Sequence, residues 1–261
     1  MDKSSIGGIL LAVGGILAGL LLEGGNLRQV VQPTAAMIVL GGTLGAVMLQ
    51  FPLPVVMHAV RRLGSVFTGP KQNSQATVRR LVEYAQQARR EGIVSLDAHL
   101  SEIEDPFLKK SLMLAIDGTE PDELRNIMEL ELNNQAEHEE QVPQVFESAG
   151  GFAPTIGIIG AVLGLIQTMQ HLDKIEEVGR GIAVAFVATI YGVGSANLLY
   201  LPVAGKMKLR IREEQIAREM TLEGVVSILE GMNPHMLETK LLGFLVDAEQ
   251  AEQESEGEAN S

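Results

Sequence analysis

Four stretches of this chain carry no charged side chain over roughly the 20 residues that a helix needs to cross a bilayer. They run from about Ser4 to Leu22, Pro33 to Phe51, Ser148 to Gln170 and Gly181 to Gly205. A buried helix of a soluble domain seldom keeps that length without one charge, so the pattern predicts an integral membrane protein with four transmembrane helices. The first stretch follows Lys3 and has the outline of a signal peptide. However, Glu23-Gly24-Gly25-Asn26 does not read as a small-residue cleavage site, and three more spans follow.

Composition matters chiefly for what it excludes. The 261 residues include no Cys, which removes disulfide frameworks and thiolate metal or redox chemistry. A net charge of −13 argues against nucleic acid as a partner, because counterion release needs a basic footprint. With 28 Gly and no Trp, the chain favours close helix contacts over a bulky core. Five acidic residues follow Asp247, so 247–261 reads as an acidic disordered tail.

Lysine and arginine near the span ends set the expected orientation. Arg61 and Arg62 follow the second span, and Lys206, Lys208, Arg210 and Arg212 follow the fourth, whereas the connectors 23–32 and 171–180 carry only Arg28, Lys174 and Arg180. The sequence therefore divides into transmembrane helices 1 and 2 (1–56), a cytoplasmic helical domain (57–147), transmembrane helices 3 and 4 (148–205), a cytoplasmic helical extension (206–246) and the tail. Both termini fall inside.

The long middle region shows helix punctuation and no useful strand alternation. Ser74 opens a helix with Val78, Leu81, Val82 and Ala85 at amphipathic spacing and Gly92 at its end. Asp105-Pro106 opens another, closed by Gly118, and Thr119 with Pro121 and Asp122 starts a third that runs acidic through Glu129, Glu131, Glu137, Glu139 and Glu140. After the fourth span a helix is expected to continue to about Leu229.

Catalytic constellations are missing. His58, His99, His138, His171 and His235 are scattered, with no pair at metal-ligand spacing. Gly41-Gly42-Thr43-Leu44-Gly45 lacks the Gly-Lys-Ser/Thr ending of a phosphate loop and lies inside a span, where it reads as helix packing.

Small residues are concentrated instead. Pro154, Gly157, Ala161, Gly164 and Thr168 recur at three and four residues in the third span, and Ala185, Ala188, Thr189, Gly192 and Ala196 offer a comparable face in the fourth. Two readings stay open: packing between helices of one chain, or a passage that receives another chain's helix. No span contains an ionisable group of the kind that relays ions at depth. If the protein conducts protons, the titrating group comes from a partner.

Residues 151–166, Gly-Phe-Ala-Pro-Thr-Ile-Gly-Ile-Ile-Gly-Ala-Val-Leu-Gly-Leu-Ile, and 185–192, Ala-Phe-Val-Ala-Thr-Ile-Tyr-Gly, resemble the MotA/TolQ/ExbB proton-channel superfamily. Four spans narrow the resemblance to the MotA/PomA branch, the A subunits of flagellar motor stators. Glu230-Gly231-Met232-Asn233-Pro234 and the run from Arg89 to Asp97 are similar too.

The resemblance implies a homo-pentamer in the bacterial inner membrane around a B-type subunit with a membrane Asp. It also implies ion flow converted to torque on the rotor switch protein, for motility and chemotaxis. Pro154, Thr189 and Pro202 match the family's ion-path residues, while Arg89, Arg90 and Asp97 match its rotor-interacting loop, with Asp97 standing where relatives usually carry Glu. Sodium-driven relatives tend to place Thr at the positions of Ala161 and Ala188, so the translocated ion is expected to be H+, with Na+ the alternative. No cofactor is implied and no enzyme activity is expected. An energiser of outer-membrane processes like ExbB or TolQ is the competing function.

Overall fold

The computed structural model describes residues 3–67 and 74–245; the acidic tail at 247–261 lies outside them. Among the described residues the regular structure is helical, with no strand. The helices are α1 (Lys3–Leu22), α2 (Pro33–Gln50), α3 (Leu53–Phe67), α4 (Ser74–Glu91), α5 (Pro106–Ile116), α6 (Pro121–Gln170), α7 (Ile175–Ser195), α8 (Leu201–Leu229) and a last helix, α9, over 234–245. Four helical stretches contain a part long and apolar enough to cross a membrane, namely Ser4–Leu22, Pro33–Gln50, Pro121–Gln170 and Ile175–Leu229, and in the last two the uncharged part is 148–170 and 181–205. The expected four-span, all-helical membrane fold is therefore present.

Local chemistry explains where the helices begin and end. Asp105 accepts a hydrogen bond from the Phe107 amide at 2.9 Å, capping α5, with Pro106 as its first residue. Gly92 and Gly118 close α4 and α5 at φ of +86° and +84°, where a Cβ would be strained.

The chain forms two compact units, 1–69 with 140–208, and 70–139 with 209–261. The second has a conventional core in which Leu81, Leu96, Leu108, Leu112, Leu124, Met128, Met220, Val225, Leu237 and Leu241 are all buried. Around it, Glu223 on α8 accepts hydrogen bonds from Arg125 on α6, at 2.8 Å, and from Lys240 on α9. Burial alone would raise the Glu223 carboxyl, but these two cations overcome it and hold the carboxyl below its ordinary value.

With a depressed folded-state pKa, the contribution is complete above the ordinary glutamate range and is lost as pH falls through the lower folded value. Glu223→Gln is expected to loosen this unit by about 1–2 kcal/mol, a figure reduced for the partial exposure of both cations. Faster amide exchange in 209–229 and 234–245 of the detergent-solubilised protein measures it, and the difference from wild type should shrink below about pH 4.

The first unit is built differently. Its large apolar side chains point outward: Leu49 is 91% exposed, and Leu11, Leu22, Phe186 and Met169 are exposed as well. Its buried positions are mostly small or branched, including Ala35, Val39, Ala153, Ala185, Ala188 and Ala196, with Met207 buried as well. That inversion is what a lipid environment allows, because side chains gain nothing by hiding from hydrocarbon and helices associate by packing.

Candidate ion path in the membrane unit

The third and fourth spans, the second half of α6 and α7, meet at backbone contact. A Cβ placed on Gly192 would lie 2.6 Å from the Ala153 carbonyl oxygen and 3.0 Å from Gly157 Cα. One placed on Gly157 would lie 2.9 Å from the Ala188 carbonyl oxygen. Two turns away, a Cβ on Gly164 would come within 2.8 Å of the Gly181 carbonyl oxygen. Only glycine fits at such crossings.

Helix packing within one chain thus absorbs Gly157, Gly164, Thr168, Ala185, Ala188 and Gly192, each of them buried. Ala188 is wholly buried, at 0% exposure, with the third span against it at Gly157 and Gly160. Pro154, Ala161 and Thr189 sit half-exposed at the margins of this contact, and Pro202 is exposed near the start of α8. Thr155, Ile158 and Val162 on α6 and Phe186, Ile190 and Val193 on α7 are exposed.

Hydroxyls in the spans mostly return to their own helix. Thr155 donates to the Phe152 carbonyl at 2.8 Å, Thr168 to Gly164 at 3.0 Å and Thr189 to Ala185 at 3.2 Å. Thr43 on α2 does not, being 2% exposed with no partner for its Oγ1.

Three features of this unit are not legible in the sequence pattern. Pro143 lies inside α6 as well as Pro154. A wide π-type turn occupies Ala196–Tyr200, with the Leu201 amide bonded to the Ala196 carbonyl, directly before Pro202. Such a widened turn accommodates a helical proline by relaxing the ladder around its missing donor. The Tyr191 hydroxyl, further, donates to the Val30 carbonyl at 2.5 Å and accepts from the Gln32 amide at 3.2 Å.

Comparison with known proteins decides what this arrangement belongs to. Residues 6–92 match the motility protein A N-terminal model and residues 99–220 match the MotA/TolQ/ExbB proton channel family. The motility protein A of Bacillus subtilis is 36% identical over 100% of this chain and 97% of the relative. The chain belongs to the motility protein A family.

The solved B. subtilis flagellar MotAB stator complex contains a chain 35% identical to this one, with a TM-score of 0.87 over 96% of this chain and 99% of that one. The Campylobacter jejuni MotAB structure gives 34% identity and a TM-score of 0.89 over 94% and 96%. This family member is accordingly a membrane-embedded stator subunit of the flagellar motor and not an enzyme. The energiser reading is not favoured, since full-length matches run to motility proteins, including the chemotaxis protein PomA of Vibrio alginolyticus at 28% identity over 96% of this chain and 98% of that one.

The second unit holds the residues that the resemblance links to the rotor. Arg89 and Arg90 are exposed in the last turn of α4, where cations complement the helix dipole. Asp97 is exposed in the following 3-10 segment, Ile93–Glu102, directly after Leu96, whose side chain is fully buried and anchors the segment. Gln87 ties the two pieces together, donating to the Ser95 carbonyl at 3.3 Å and bonding His99 Nε2 at 2.9 Å. A 3-10 course over ten residues has no signal in the sequence pattern. It follows from the Gly92 turn and the Leu96 anchor.

Proposed function

We propose that the chain is the A subunit of a proton-driven flagellar stator in the bacterial inner membrane, and that a B-type subunit with a membrane Asp supplies the titrating group. The observation that carries this reading is the absence of any Asp, Glu, His, Lys or Arg from the four spans of a protein whose family is described as proton channels. A path without its own carboxylate needs a carboxylate from outside. The B. subtilis and C. jejuni relatives were solved as MotAB complexes, which supports such a partner here.

Pro154, Ala161 and Thr189, at the half-exposed rim, then face the B-subunit helix, with Ala188 giving the close helix contact behind them and Pro202 ending the path. Outward apolar side chains of the spans meet lipid and neighbouring copies in a pentameric ring. Regions 57–147 and 206–246 lie on the cytoplasmic side, as the Lys and Arg distribution favours. Arg89, Arg90 and Asp97 there engage charges on the rotor switch protein.

Reversing Arg89→Glu and Asp97→Lys together tests the rotor assignment. Each reversal turns a contact worth about 0.2–1 kcal/mol into a repulsion, and every copy in the ring repeats it. Expansion in soft agar should shrink severely while membrane abundance and co-purification of the B subunit hold. Wild-type expansion by the double variant would remove these residues from the rotor interface.

A further inference from the structure

The contact between α6 and α7 brings the helices close but keys them weakly. Glycine and alanine surfaces have few protruding side chains to interlock, so the roll of α7 about its axis needs another determinant. Tyr191 supplies directional contacts. Its ring packs beside Ala35, Val39, Val187 and Ala188, and its hydroxyl joins two backbone groups of the connector that precedes α2.

That connector is itself a built structure. Asn26 and Gln29 form a reciprocal capping box around the 3-10 turn Leu27–Val30, and the Gly25 amide closes α1 on the Leu20 carbonyl at 2.9 Å. The Val30 carbonyl and the Gln32 amide lie next to apolar helices, where unpaired backbone groups are expensive, and one phenol satisfies both.

Thr189 precedes Tyr191 by two residues, a rotation of about 200° around the helix. We propose that Tyr191 is a positioning residue: by fastening one face of α7 to residues 30–32, its hydroxyl fixes the roll of the fourth span and so aims Thr189 at the ion path. The proposal rests on the reading of Thr189 as an ion-path residue.

Two measurements separate that reading from the proposal. In a strain lacking its own copy, the full chain is expressed with its B subunit, and torque per stator unit is read from the step height as single units join a motor. Step height reports each working unit independently of abundance. Tyr191→Phe keeps the ring but loses both hydrogen bonds, and step height should fall by about twofold or more, as misalignment at a working site does. An unchanged step height for Tyr191→Phe, with a reduced one for Thr189→Val, would overturn the positioning role and leave the path intact. Unchanged heights for both would overturn the path reading itself, and the proposal with it.

The second measurement needs no rotation. Because the chain lacks cysteine, Thr189→Cys presents a single thiol, whose labelling by a water-soluble maleimide in membranes reports its facing. Adding Tyr191→Phe should change that rate severalfold. Equal rates would show that the phenol does not set the facing, even if the variant accumulates poorly.

Discussion

Gly192→Ala is expected to separate the third and fourth spans and to remove most of the functional protein from the membrane. The added methyl meets the Ala153 carbonyl oxygen at 2.6 Å and Gly157 Cα at 3.0 Å. Both obstacles are backbone, so no rotamer change relieves them and the helices must part. Overpacking of this kind costs about 1–3 kcal/mol in soluble cores. Here it also opens the backbone contact that Gly164 and Gly181 continue. Immunoblots of membrane fractions and swimming assays measure the loss. Gly194→Ala is the matched control, two residues away with open space around the new Cβ, and it should be tolerated. Equal abundance and swimming for the two variants would contradict the backbone contact.

Replacing sodium with potassium at fixed pH is expected to leave swimming unimpaired, and a protonophore to stop it. A sodium ion that surrenders its water needs several oxygen ligands, whereas a proton needs an acceptor and a hydrogen-bonded route. Ala161 and Ala188 offer no side-chain oxygen, and Ala188 is sealed against the third span. The Thr189 and Thr155 hydroxyls remain, but each already donates to a carbonyl of its own helix. Thr189 is thus suited to accept a hydrogen bond from water or from the partner's acid. A collapse in speed on removing sodium would overturn the proton assignment.

Membrane character was legible because a bilayer imposes a length and forbids charge, and both constraints are one-dimensional. The span starting at Pro33, the end of α4 before Gly92 and the Asp105-Pro106 helix start all appear where local chemistry places them. The small-residue stripe was legible as a stripe but not as a contact. Glycine at three- and four-residue spacing suits packing within a chain and a passage for another chain equally well, since periodicity marks a face without naming its neighbour. The tertiary structure divides the stripe: Gly157, Gly164 and Gly192 lie in the buried contact, and Pro154 and Ala161 stay half-exposed.

By itself, then, the sequence determined the four spans, the helical class, the lack of a titrating group at depth and the family resemblance. Each follows from properties of single residues or of neighbours three or four apart. Only the tertiary structure decided that Ala188 is sealed, that Tyr191 reaches residues 30 and 32, and that Glu223 gathers Arg125 and Lys240 from two other helices. Those contacts join positions up to 161 residues apart. Nothing in local spacing selects one distant partner over another, and the selection is made by which backbones can approach and which polar groups would otherwise stay unpaired.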